Sequence, residues 1–181
     1  MATRKEIKHK KNNKNTIIAS VVIVVIIAAF ILSQINFQPA KEENNIARYG
    51  FTKEGVITLF KTSGEKIFTL DGEFATNDYE RMRGLMFRTE MKENQAMLFL
   101  FPAEEMQSFW MRNTFISLDI IFINEKKEIV TIHKNTTPQS DQGLPSSAPS
   151  RYVLETVAGF SERHNLQIGD KIDWLIEKEV E

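Results

Sequence analysis

The chain has 181 residues, of which 42% are hydrophobic and 26% charged, and its formal net charge is −1. That is enough for one ordinary domain with a real core, plus an additional segment. Cysteine is absent, which excludes disulfides, thiolate catalysis and cysteine-ligated metals.

Charge is unevenly distributed. Ahead of Ile17 stand Arg4, Lys5, Lys8, Lys10, Lys11 and Lys14 against Glu6, a local +5 that leaves −6 on the rest of a chain totalling −1. An acidic remainder argues against a phosphate-tracking surface, so no nucleic-acid partner is expected. Residues 1–16 read as a basic cytoplasmic tail. Residues 17–32, IIASVVIVVIIAAFIL, carry no charge. Extended through Phe37 as a helix they span about 31 Å, close to the hydrocarbon thickness of a bilayer. Residues 17–37 are therefore expected to be a transmembrane signal anchor in contact with the lipid bilayer. The lysines then stay inside, and a single-pass bacterial membrane protein results with its C-terminal domain extracytoplasmic. A cleaved signal is the competing reading, though Gln38 is a poor partner for a cut after Ala40. Residues 38–54 read as a polar spacer.

The domain is expected over residues 55–181. Val56 to Phe60 and Ile67 to Phe74 are strand candidates, joined by a turn around Ser63-Gly64. Asn77 and Glu80 have the spacing of a capping box, which predicts a short helix ending at Gly84. Met97 to Phe101 (MLFLF) is a continuous apolar run and reads as a buried strand. Ser108 to Met111 is another strand candidate. Leu118 to Ile123 and Glu128 to His133 flank the turn Glu125-Lys126-Lys127 and predict a hairpin. Asn135 to Ser150 is a Ser/Thr/Pro/Gly-rich loop, long for so small a domain. Arg151 to Thr156 reads as a strand, Phe160 to Asn165 as a short helix, and Ile172 to Ile176 as the last strand. The expected fold class is α+β and β-dominated: a compact, partly closed β-barrel-like domain with short helices, preceded by one transmembrane helix.

Several blocks are more specific. They are Arg81-Met82-Arg83-Gly84-Leu85-Met86-Phe87-Arg88, Met97-Leu98-Phe99 with Phe101, and Phe109-Trp110-Met111-Arg112-Asn113-Thr114. Leu118-Asp119-Ile120-Ile121-Phe122, Tyr152-Val153-Leu154-Glu155 with Gly159, and Ile168-Gly169-Asp170 follow. In that order and spacing, from about Lys66 to Trp174, the chain resembles the DUF192 (UPF0127) family of bacteria and archaea. Ala96 and Ser117 depart from its usual Gly and Pro. The resemblance implies a β-rich fold, often with a signal or anchor segment, and supplies no catalytic residues.

Five residues are candidates for binding a ligand: Arg81, Arg88, Asn113, Asp119 and Glu155. The arginines flank the Gly84-Leu85-Met86 turn, where guanidinium groups can grip an anion or pair with a carboxylate. Asn113 lies between two apolar runs, where polar groups line clefts or satisfy turns. Asp119 and Glu155 are carboxylates embedded in strand-like runs. They are partners for an arginine or, on one cleft, the acid–base pair of a glycosidase. His133 and His164 are isolated and no metal motif occurs, so no metal and no cofactor is expected. The leading expectation is a membrane-anchored domain that binds a small ligand or an envelope protein. The alternative is an envelope carbohydrate hydrolase using Asp119 and Glu155.

Overall fold

The structure, a computed structural model, describes residues 17–27 and 50–177. The chain divides into two compact units, Met1–Glu43 and Asn44–Glu181. In the first unit residues 17–27 are helical and exposed. No helix among the described residues is long and apolar enough to cross a membrane. The transmembrane anchor expected over residues 17–37, and the single-pass membrane localisation built on it, are therefore not supported. Residues 1–16, 28–37 and most of the expected spacer lie outside the described residues.

The second unit contains a seven-stranded mixed sheet. Its strands are β1 (Gly55–Phe60), β2 (Lys66–Ala75), β3 (Gln95–Glu105), β5 (Leu118–Ile123), β6 (Ile129–His133), β8 (Ser150–Val157) and β9 (Lys171–Ile176). Their order is β6-β5-β8-β3-β2-β1-β9. β2 and β3 run parallel and the other neighbours antiparallel. β4 (Ser108–Phe109) and β7 (Leu144–Pro145) pair in a separate two-stranded ribbon. The partly closed barrel is corrected to a mixed sheet that does not close into a barrel. Its edge strands meet beside their ends, where Glu128 bridges Lys171, the Ile129 N–H binds the Asp170 carbonyl and the Ile172 N–H the Lys127 carbonyl.

Alternation along the strands divides the core between the two faces. One face carries Ile57, Leu70, Leu98, Ile121 and Leu154, packed with Phe160 and Leu166. The other carries Met97, Phe99, Ile120, Phe122 and Val153, covered by Leu85 and Met111. All six residues of β5 are buried, because both of its faces are covered. Phe109 of the ribbon stands edge-on to Phe99, Phe101 and Phe122, with ring centroids 5.0, 6.3 and 5.7 Å away.

The parallel β2–β3 pair needs a crossover, and the crossover positions the site. It opens with the helix Asp78–Arg83, where the Asn77 side chain accepts the Glu80 N–H and Glu80 accepts the Asn77 N–H. Gly84 ends the helix at φ +46°. Tight turns then lead through Arg88 to β3.

Candidate functional site

Glu155 lies on the second face of the sheet. It pairs in register with Met97 on one side and Ile120 on the other. The chain passes above it at Gly84, where an added Cβ would stand 3.0 Å from Phe99 Cζ and 3.8 Å from Glu155 Oε2. Between this turn and the β4–β7 ribbon is a cleft of about 310 Å³. Phe99, Phe101, Phe109 and Trp110 line it together with Met82 and Met86, and Glu155 is the single carboxylate in its lining. Trp110 is 47% and Met82 64% exposed, so the apolar lining continues to the rim.

Glu155 is 5% exposed, and its Oε2 has no hydrogen-bond partner among the described residues. Burial pushes its pKa up to about 8, although the positive charge of Arg88 pulls the other way. At neutral pH this carboxyl is mostly protonated and can donate a hydrogen bond.

The other candidates divide by role. Arg88 is buried and its Nη2 lies 2.7 and 2.6 Å from the two carboxylate oxygens of Glu73, which is also buried. Glu73 was missed in the sequence, where a charge next to Gly72 reads as a solvated strand residue. Arg81 lines the cleft, but its donors already bind the carbonyls of Thr76 (2.7 Å) and Leu100 (2.8 Å) and the Asp78 carboxylate (2.6 Å). Asn113 is an exposed turn residue at φ +56°, and its carbonyl accepts the Phe87 N–H at 2.8 Å. It does not line the cleft. Thr114, Gln107, Ser108 and Trp110 line it instead. The rim position of Trp110 depends on the ribbon, for which a two-residue strand gives no signal in the sequence.

Asp119 is fully buried on the opposite face. It pairs in register with Thr156, the neighbour of Glu155, so the two carboxyls point to opposite sides of the sheet. Its Oδ1 accepts the N–H groups of Asn135 (2.8 Å) and Gly159 (3.1 Å), and its Oδ2 that of Ser161 (2.8 Å). Gly159 caps the one-turn helix Phe160–Arg163 without a side-chain hydrogen bond, so Asp119 supplies that cap from a distant strand. Catalysis by Asp119 and Glu155 on one substrate has no geometric basis here.

The loop over residues 135–150 is held at many points. Gln139 N–H binds the Thr114 carbonyl, Ser146 N–H the Gln107 carbonyl, and His133 Nε2 the Pro145 carbonyl. The loop does not itself line the cleft; through β7 it supports β4, which does. A second cavity of about 270 Å³, lined by Thr52, Glu54, Glu73, Glu80 and Arg88, lies across the Arg83-Gly84 backbone. Its acids are engaged within the fold: Glu54 by the Phe74 N–H, Glu73 by Arg88 and Glu80 by the capping box. Among the described residues no cluster of acids and histidines could hold a metal ion.

Known proteins share this domain. The DUF192 family model, described as an uncharacterized ACR, matches residues 58–174. A UPF0127 protein of Thermococcus sibiricus is 32% identical over 66% of this chain and 75% of its own length. The crystal structure of a protein of unknown function from Novosphingobium aromaticivorans is 38% identical with a TM-score of 0.62, covering 66% of this chain and 84% of that one. A second, from Sinorhizobium meliloti and provisionally described as a transcription regulator, is 34% identical with a TM-score of 0.64, covering 69% of this chain and 98% of that one.

Proposed function

The chain belongs to the DUF192 family, and we propose that its β-rich domain is a small-ligand binding module whose site is the cleft floored by Glu155. The observation that carries this reading is the unpartnered Oε2 of Glu155, buried yet in the lining of an apolar cleft. Leaving a buried polar group without a partner costs about 1–3 kcal/mol. A ligand that satisfies it recovers that cost, and the aromatic walls add apolar burial. The volume suits a small molecule rather than a folded partner. Arg81 and Arg88 take part as shaping residues: Arg81 fixes the helix against β3, and Arg88 sets the field behind Glu155. Asn113 and Asp119 hold turns and belong to the scaffold.

The test is a small-molecule screen against the full chain, read by chemical-shift changes. Hits should perturb Phe99, Phe101, Trp110 and Glu155, and should lose about tenfold or more in affinity in Glu155→Ala, the size expected when a hydrogen bond to a buried group is removed. Hits that map elsewhere and are indifferent to Glu155 sink the reading.

A further inference from the structure

Resting on that reading of the cleft, we infer that its ligand is an apolar monocarboxylate. Its carboxylate end meets Glu155 and its hydrocarbon or aryl body lies along Phe99, Phe101, Phe109 and Trp110.

The charges around the floor decide the class. The helix Asp78–Arg83 brings Arg81 and Arg83 into the cleft lining. Arg88 of the following turn acts on Glu155 through its charge. The acids of these elements are already engaged: Asp78 by Arg81, Glu80 by the capping box and Glu73 of β2 by Arg88. β3 contributes Phe99 and Phe101 to the lining, and β4 with its neighbours contributes Gln107, Ser108, Phe109 and Trp110, none of which is charged. β5 places Ile120 beside Glu155. A ligand ammonium entering here meets a lining that holds two arginines, Arg81 and Arg83, and a single carboxyl, Glu155. A ligand carboxylate meets the better balance of charge there and accepts a hydrogen bond from the protonated Glu155. An O–H···O⁻ bond of this kind is among the stronger hydrogen bonds available in a protein. The apolar walls extend from Phe99 to the exposed Trp110 and Met82, so the rest of the ligand need carry no polar group. The volume, about 310 Å³, lies at the small end of the range for ligand sites.

The carboxyl state of Glu155 gives the proposal a sign. Its pKa is raised to about 8, chiefly by burial. Once ionised it repels a ligand carboxylate and attracts a ligand ammonium. The full chain is titrated with octanoate, octylamine and octanamide by calorimetry, at about pH 6.5 and about pH 9.5, on either side of that value. Octanoate should bind most tightly of the three, and its affinity should fall about tenfold or more between the two conditions. Glu155→Gln, which keeps a donor but cannot ionise, should retain octanoate binding and lose the pH dependence. Tighter binding of octylamine, rising with pH and lost in Glu155→Gln, would overturn the carboxylate assignment and leave the cleft as the site. Octanamide binding as tightly as octanoate would do the same. Binding of none of the three would overturn the assignment alone, and octanoate binding that ignores both pH and Glu155→Ala would overturn the assignment and the proposed function together.

Discussion

Glu73 and Glu155 stand on one row of the sheet, each paired in register with Met97, one from the parallel side and one from the antiparallel side. Arg88 binds the first directly and reaches the second only through its field. One buried carboxyl of the row is thus a salt-bridged anion and the other is kept neutral. The first prediction follows. Glu155 titrates near pH 8 in the folded protein and near 4.5 unfolded. Between those values the folded state holds a proton that the unfolded state has released, so stability falls as pH rises. The contribution is fully present below about pH 4.5 and is lost through pH 8, on the order of a few kcal/mol in all. Denaturant unfolding across this range should slope downward in the wild type and more weakly in Glu155→Gln. Parallel profiles would show that Glu155 is not held neutral.

Removing either half of the Arg88–Glu73 pair should be costly. Arg88→Met leaves Glu73 buried and unpaired, and a loss of about 3–5 kcal/mol is expected. Glu73→Gln combined with Arg88→Met should recover part of it, a non-additivity that denaturant midpoints of the three variants will read. Additive losses would mean that the two side chains do not depend on each other.

Asp119→Asn keeps the shape but loses the charge that three backbone N–H groups share. A destabilisation of about 2–4 kcal/mol is expected, with hydrogen-exchange protection lost first at Asn135, Gly159 and Ser161. Because Asp119 faces away from Arg81 and Glu155, combining it with Glu155→Gln should give additive stabilities. Binding in the cleft should be unchanged.

Gly84→Ala places a methyl group 3.0 Å from the Phe99 ring at a positive φ. The strain should cost about 1–3 kcal/mol. It should also narrow the cleft, so a ligand of the wild type should bind more weakly even at temperatures where the variant is folded. Unchanged binding would place the ligand away from the turn.

The helix at Asp78–Arg83 was legible in the sequence because both halves of its capping box and its terminating glycine are local signals. The strand at Met97–Phe101 was legible too, since a continuous apolar run needs both faces covered, and Met97, Leu98 and Phe99 are buried. What the sequence withheld is register. Alternation places Asp119 and Glu155 within their own strands. Which sides they share depends on the pairing of Asp119 with Thr156, and that pairing is set by the whole sheet. For the same reason the parallel β2–β3 contact and the burial of Glu73 were not foreseen. The apolar run over residues 17–32 carried the membrane expectation, and no helix among the described residues is long and apolar enough to cross a membrane.

The place of β8 in the sheet bears on how the chain is made. Residues 150–157 lie late in the chain, yet their strand occupies the middle, between β5 and β3. Until they leave the ribosome, the β5–β6 hairpin and the β1–β2–β3 group have no common neighbour, and each presents an open edge of apolar backbone. Assembly is therefore held back until most of the domain has been synthesised. A nascent chain stalled before Ser150 should be far more prone to aggregation and proteolysis than one stalled after Ile176.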